Sequence, residues 1–140
     1  MTPLTFAGDS SQMRSPVTPH DLASFIKVVR LSQLVSEESL NSLANQFEAE
    51  RKFFVEQSEE MLAFSDQLVN QGAVTSWQRD KLLSGRHRGF FHEGYVIQEM
   101  LYKDSFHTYY KAMNLKDGTT VKLKATFSDN GKIVLDYVTQ

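Results

Sequence analysis

The sequence predicts an α+β fold: an N-terminal helical bundle of about four helices, followed by a small antiparallel β meander. Three observations predict it. From Pro19 to Leu83, apolar residues recur at three and four positions, the period of a helix that buries one stripe. After Gly85 the segments become rich in β-branched and aromatic residues and begin to alternate. Asp117-Gly118 and Asn130-Gly131 then separate those segments, and such pairs tolerate the positive φ that tight hairpins need.

Taken in order, Leu22, Phe25, Ile26 and Val29 form the first helical stripe, with Thr18 able to cap it and Pro19 at its first position. Ser36 starts the next helix, whose stripe is Leu40, Leu43, Ala44 and Phe47. The stretch 37–71 reads as one helix or two. Leu40, Phe47, Phe54, Met61 and Leu68 fall seven apart without an intervening Gly or Pro. Against a single helix stands a weak repeat: shifted by 39 residues, Phe25, Val29, Val35, Ser36 and Leu43 land on Phe64, Leu68, Val74, Thr75 and Leu82. We therefore expect two helical hairpins with a break near Val55–Ser58. Thr75-Ser76-Trp77-Gln78 has the spacing of a capping box, and Gly85 ends the last helix. Strands are expected at Tyr95-Val96-Ile97, Thr108-Tyr109-Tyr110 and Thr120 to Phe127. A further strand alternates through Ile133, Leu135 and Tyr137, completing a sheet with one buried face. The domain reading is a flexible tail over 1–18, a helical module over 19–86, a linker over 87–94 and the sheet over 95–140.

Composition narrows the function classes. Of 140 residues, 41% are hydrophobic and 23% charged, a globular mixture. The formal charge is −2 with no long basic stripe, which argues against nucleic acid as a partner. No cysteine is present, so disulfides and cysteine-held metals are excluded. There is neither an apolar run of membrane-spanning length nor a secretory leader in the first residues, and the expectation is a cytoplasmic protein without membrane contact.

One stretch carries a resemblance. Leu101, Ser105-Phe106, Tyr110-Lys111-Ala112 and Val121-Lys122-Leu123-Lys124 resemble the opening strands of a serine/threonine protein kinase domain, where a glycine-rich loop precedes a strand reading V-A-I-K. LVSEESLNSL and QGAVTSWQRDKLLSGRHRGFF, leading into GYVIQEML, resemble the segment that precedes the kinase domain in planctomycete-type bacterial kinases. The resemblance implies a degenerate, truncated kinase N-lobe behind a helical segment. It places Tyr102, Asp104 and His107 at the three glycine positions, where side chains obstruct the close approach of backbone N–H groups to phosphate. It puts Lys122 at the adenine-packing position and Lys124 at the phosphate-pairing one. Past Lys124 the chain reads as a hairpin partner, not as the helix carrying a partnering Glu. Neither H-R-D-x-x-x-x-N nor D-F-G occurs, so no catalytic residue and no magnesium site is implied, and the chain is expected not to be an enzyme.

The remaining candidates have plainer readings. His87 and His92, five apart, are expected to face solvent and to hold no metal. Asp104, Ser105 and His107 are too close in sequence for a hydrolytic triad. Trp77, Arg79, Arg86 and Arg88 form a candidate interaction surface, although Lys and Arg at a helix C-terminus also serve stability. Seven acids lie between Glu37 and Glu60, a solvated helical face. Phe90 and Phe91 read as core. The functional expectation is a non-catalytic signalling or adaptor protein that contacts a protein partner, a serine/threonine kinase among the candidates, without a cofactor, and with self-association of the helical hairpins open. The alternative is a residual nucleotide or small-anion sensor using Lys124 and Lys122.

Overall fold

The computed structural model describes residues 18–50, 54, 56–127 and 133–138. The tail expected over 1–18, all but its last residue, and the turn expected at Ser128-Asp129-Asn130-Gly131 lie outside the described residues. So does Val55, at the start of the expected break. The chain divides between His87 and Arg88 into a helical unit and a sheet unit.

The helical unit contains α1 (Leu22–Ser32), α2 (Glu37–Ala49), α3 (Gln57–Asn70) and α4 (Ser76–Leu83). The stretch 37–71 is therefore two helices. Leu40, Phe47, Met61 and Leu68 are all buried despite belonging to different helices, so the seven-residue spacing reports burial and not continuity. The repeat has a structural counterpart. Phe25 and Phe64, one repeat apart, are both fully buried, and their rings meet edge-on at 6.4 Å. Phe47 adds a second edge-on contact to Phe64 at 5.3 Å, and Phe54 stacks on Phe47 at 6.1 Å. Val35 and Val74 are buried beside the two equivalent caps, Ser36 and Thr75.

Those caps follow ordinary chemistry. Ser36 Oγ accepts from the Ser39 N–H at 3.1 Å. Thr75 and Gln78 form a reciprocal capping box, the Thr75 hydroxyl accepting from the Gln78 N–H and the Gln78 amide oxygen accepting from the Thr75 N–H. The start of α1 differs from the expected Thr18-Pro19. Asp21 is the cap: its carboxylate accepts from the Ser24 N–H at 2.8 Å, while Ser24 Oγ accepts from the Asp21 N–H at 3.1 Å. A carboxylate at this position satisfies an otherwise orphaned donor and also meets the positive end of the helix dipole, which Thr18 cannot do. Pro19 is buried ahead of the helix instead of opening it.

The sheet unit is a meander of five antiparallel strands in sequential order, curled as a half-barrel: β1 (Phe91–His92), β2 (Tyr95–Lys103), β3 (His107–Asn114), β4 (Thr120–Phe127) and β5 (Ile133–Val138). β1 lies within the stretch read as a linker. Gly118, at a φ of 75°, turns β3 into β4, and Asp117 Oδ1 secures the turn by accepting from the Thr119 N–H and hydroxyl. Register assigns the faces. Ile97, Ala112 and Val121 lie in one cross-strand row, Tyr110 and Leu123 in the next, and Thr108 and Ala125 in a third; these make the inner, largely buried face. The opposite face carries Glu99, Lys111 and Lys122 in one row and Tyr102, Tyr109 and Lys124 in the next.

Two expectations of burial are corrected. Tyr137 lies across from Leu123 on the inner face yet is 62% exposed. β5 is an edge strand of the described sheet, so Tyr137 has a strand on one side only. Phe91 is 42% exposed whereas Phe90 is 2% exposed, as alternation at β1 dictates.

Candidate ligand-binding face of the sheet

The outer face of β2–β4 gathers five residues singled out in the sequence: Tyr102, Asp104, His107, Lys122 and Lys124. Strand alternation explains how. His107, Tyr109 and Lys111 point one way along β3, Lys122 and Lys124 the same way along β4, and the antiparallel register sets Tyr109 between Tyr102 and Lys124. Irregularities in β2 between Ile97 and Glu99, and again between Met100 and Tyr102, shift the pairing and bring Tyr102 opposite Tyr109.

The two tyrosine rings stack at 4.4 Å with planes 21° apart. The Lys122 ammonium sits over both, 4.9 Å from the Tyr102 centroid and 5.5 Å from that of Tyr109. His107 continues the row of rings 6.2 Å from Tyr109, and Phe106, 77% exposed, lies 6.4 Å beyond His107. Lys111 is half-compensated by Glu99 at 3.8 Å. Among the described residues no carboxylate is within ion-pair distance of Lys122 or Lys124. The face therefore presents aromatic surface with mixed charge: Lys111 meets Glu99, Asp136 of β5 is the cross-strand partner of Lys124, and Lys122 sits over the tyrosine rings.

Asp104 takes a different role. Its Oδ1 accepts from the backbone N–H groups of Phe106 at 2.9 Å and His107 at 2.7 Å, closing the β2–β3 turn together with the bond from the Asp104 N–H to the His107 carbonyl. Those backbone donors hold its carboxyl below the usual carboxylate value of 3.8, so the charge is committed to the turn. The Tyr109 hydroxyl is pushed above 10.0, first by partial burial and then by the nearby Asp104 charge, and it stays a neutral donor at physiological pH.

The other candidate surface is partly consumed by structure. Arg79 bridges from α4 to Asp66 of α3 at 2.9 Å and to Asp80 at 3.1 Å. Trp77 is half-buried, with the Lys81 ammonium 5.5 Å above its ring. Arg86 and Arg88 are exposed, each in a different unit. Two open clefts of about 450 and 330 Å³ lie away from the tyrosine face, one lined by Glu93, Tyr95 and Leu115, the other by Leu22, Ile26 and Gln57. Among the described residues no group of three or more His, Asp or Glu side chains could hold a metal ion, and no helix is long and apolar enough to cross a membrane.

His87 and His92 are half-buried, not solvent-facing; His92 lies on β1 of the sheet unit, whereas His87 ends the helical unit. Burial pushes the His92 imidazole below its ordinary 6.5, against the smaller opposing effects of the Gly89 backbone and the Glu93 charge. A base whose folded-state pKa is lowered favours folding in its neutral form. As pH falls through 6.5 the unfolded chain takes up the proton first, and stability drops until the folded pKa is passed. The urea midpoint of the protein should thus fall between pH 7.5 and 5.5, and His92→Gln should flatten that fall. A wild-type midpoint that holds or rises on acidification rules out this coupling.

Sequence reasoning missed Tyr109 and Lys111. Thr108-Tyr109-Tyr110 was read as a strand, but the alternation His107, Tyr109, Lys111 that sets one face was not followed along it. No protein-family model, curated protein sequence or solved structure matches the chain. Where the kinase resemblance would place a helix after Lys124, the chain instead forms β5, the hairpin partner of β4 that the sequence suggested.

Proposed function

We propose that this chain is a non-catalytic, adaptor-type binding protein whose contact surface is the outer face of the sheet, and that its ligand is flat and anionic, a nucleotide being the simplest example. One observation carries the reading: a stacked tyrosine pair lies beneath the Lys122 ammonium, next to Lys124, on an accessible face. Cross-strand packing accounts for the tyrosine stack. It does not require the Lys122 ammonium above it, which has no carboxylate within ion-pair distance among the described residues. Like charges face each other at Lys111 and Lys122, and Glu99, on the other side of Lys111 in the same row, offsets one of them. Binding without turnover suits an adaptor, and in this reading a protein partner, a serine/threonine kinase included, would assemble around the liganded sheet.

Thermal unfolding with Mg-ATP tests this. At ten times Kd a ligand specific for the folded state stabilises it by about 1.4 kcal/mol, which corresponds to a Tm rise of several degrees for a chain of this size. Lys124→Ala removes a side chain that lies across from Asp136 without an ion pair among the described residues, so it should lower the unliganded Tm only slightly and abolish the rise. An unaltered Tm in wild type at millimolar nucleotide ends this reading.

A further inference from the structure

We infer that β5 is a self-association edge, along which two copies of the chain pair antiparallel about a twofold axis at Leu135 and join their sheets into one. The inference does not rest on the ligand proposed above. The described sheet has two edges of unequal kind. β1 is two residues long, and so short a strand offers little to pair with. β5 runs from Ile133 to Val138 and is bonded to β4 on one side only among the described residues. Its register with β4 runs without a slip, so no bulge twists the edge away. Nor does it carry the other usual guards, since it has no proline and no lysine, and its one charge, Asp136, lies on the outer face opposite Lys124. Apolar side chains stay uncovered on both faces of this strand, Val134 at 49% on the outer face and Tyr137 at 62% on the inner.

The sequence of β5 selects its own partner. Residues directly opposite in a continuous antiparallel sheet share a face, so even positions must meet even and odd must meet odd. Full overlap of two β5 strands breaks that rule, because it sets Leu135 of one copy against Asp136 of the other. The two deepest registers that keep it pair residues 133–137, or residues 134–138, with their counterparts. The second is centred on Asp136 and opposes two carboxylates, which is destabilising. The first is centred on Leu135 and sets each Asp136 across from Val134 of the second copy, with Lys124 still on its other side. It also carries the inner row Ala125–Leu135 through the axis into its copy, and it gives Tyr137 the second neighbouring strand that it lacks. β5 is therefore its own complement, and every chain that exposes this edge supplies the matching one at equal concentration. The contact is isologous and closes as a dimer, whereas head-to-tail growth from β5 to β1 has only the short strand Phe91–His92 to pair with. With the axis perpendicular to the sheet, the dimer presents its two tyrosine–lysine faces on the same side.

One pair of strands makes a smaller interface than the about 1,200 Å² at which stable complexes begin, so the expected dissociation constant is roughly 10–100 µM. The test is sedimentation of the intact chain from about 1 µM to about 1 mM, a span that brackets this value. The mass is expected to climb from that of one chain toward that of two, and hydrogen exchange over the same span to show protection gained in β5 and not in the helices. Val134→Lys and Val134→Glu lose the same half-exposed valine and differ in the charge set against Asp136 of the second copy. Val134→Glu is expected to associate about tenfold more weakly than Val134→Lys, because the twofold axis repeats each charge pair. Adding Asp136→Asn to Val134→Glu recovers most of that loss. Circular dichroism confirms that each variant is folded. A chain that sediments as one copy throughout, or as more than two, overturns the proposal. So does association with protection gained in the helices, or association indifferent to the sign of the charge at position 134. Alternate β5 amides already protected in the single-copy species show an edge covered within the chain, and that result overturns it as well.

Discussion

Truncating Phe64 to alanine lowers the unfolding free energy by about 3–5 kcal/mol, the range for a fully buried aromatic. Phe64 has no solvent exposure, and its ring is the hub of the helical core, touching Phe25 edge-on at 6.4 Å and Phe47 at 5.3 Å. Removing it forfeits the transfer free energy of the ring and both edge-on contacts, and leaves a cavity that α1 and α2 can fill only by shifting. Since globular proteins are stable by about 5–15 kcal/mol, a loss of this size takes a large share of the total. Trp77, the single tryptophan of the chain, sits on α4 in the same unit and reports its unfolding by fluorescence. Leu62→Ala, two residues before Phe64 on α3 and 47% exposed, is the control and should shift the urea midpoint little. If the two substitutions cost the same, the aromatic hub is not what holds the helices.

The legibility of this chain follows the range of the interactions involved. Ser36 and Thr75 were readable as caps because a hydroxyl two or three residues ahead of its donor acts within one turn, and the 39-residue repeat marked both at once. The turn at Asp117-Gly118 was equally local. At β2 the strand was readable from Tyr95-Val96-Ile97 but its faces were not: Val96 and Ile97 are adjacent and both buried, and the register slips twice before Tyr102. A strand with two such irregularities shows no clean alternation, so its faces become evident only from its partner. Thr18 and Asp21 are both competent caps, and the choice between them depended on Ser24 completing the box. The tyrosine–lysine face was half legible. Lys122 and Lys124 were found through a resemblance, while Tyr109 became a partner of Tyr102 only through long-range pairing.

Leu123→Ala should destabilise the sheet unit by about 2–5 kcal/mol without touching any side chain of the candidate site. Leu123 is 1% exposed at the middle of β4, with Tyr110 across from it on β3 and Tyr137 on β5. With Ile97 in the adjoining row, it is a large buried aliphatic side chain of the inner face, between Val121 and Ala125. Its loss opens the sheet from the middle, and amide exchange in β3 and β4 should accelerate about thirty-fold or more, the equivalent of at least 2 kcal/mol. Tyr137→Ala separates burial from position. It occupies the same cross-strand row but is 62% exposed, and it should leave exchange in β3 nearly unchanged. The consequence for binding follows from alternation. Leu123 faces inward while Lys122 and Lys124 face outward on either side of it, so in the folded Leu123→Ala protein the outer face keeps its chemistry. Ligand should then recover part of the lost Tm by binding only the folded state. Normal exchange in Leu123→Ala would place the core of the sheet elsewhere. Slowed folding-state recovery with ligand absent but not with ligand present would show that the inner face serves chiefly to hold the lysines of β4 in register with Tyr102 and Tyr109.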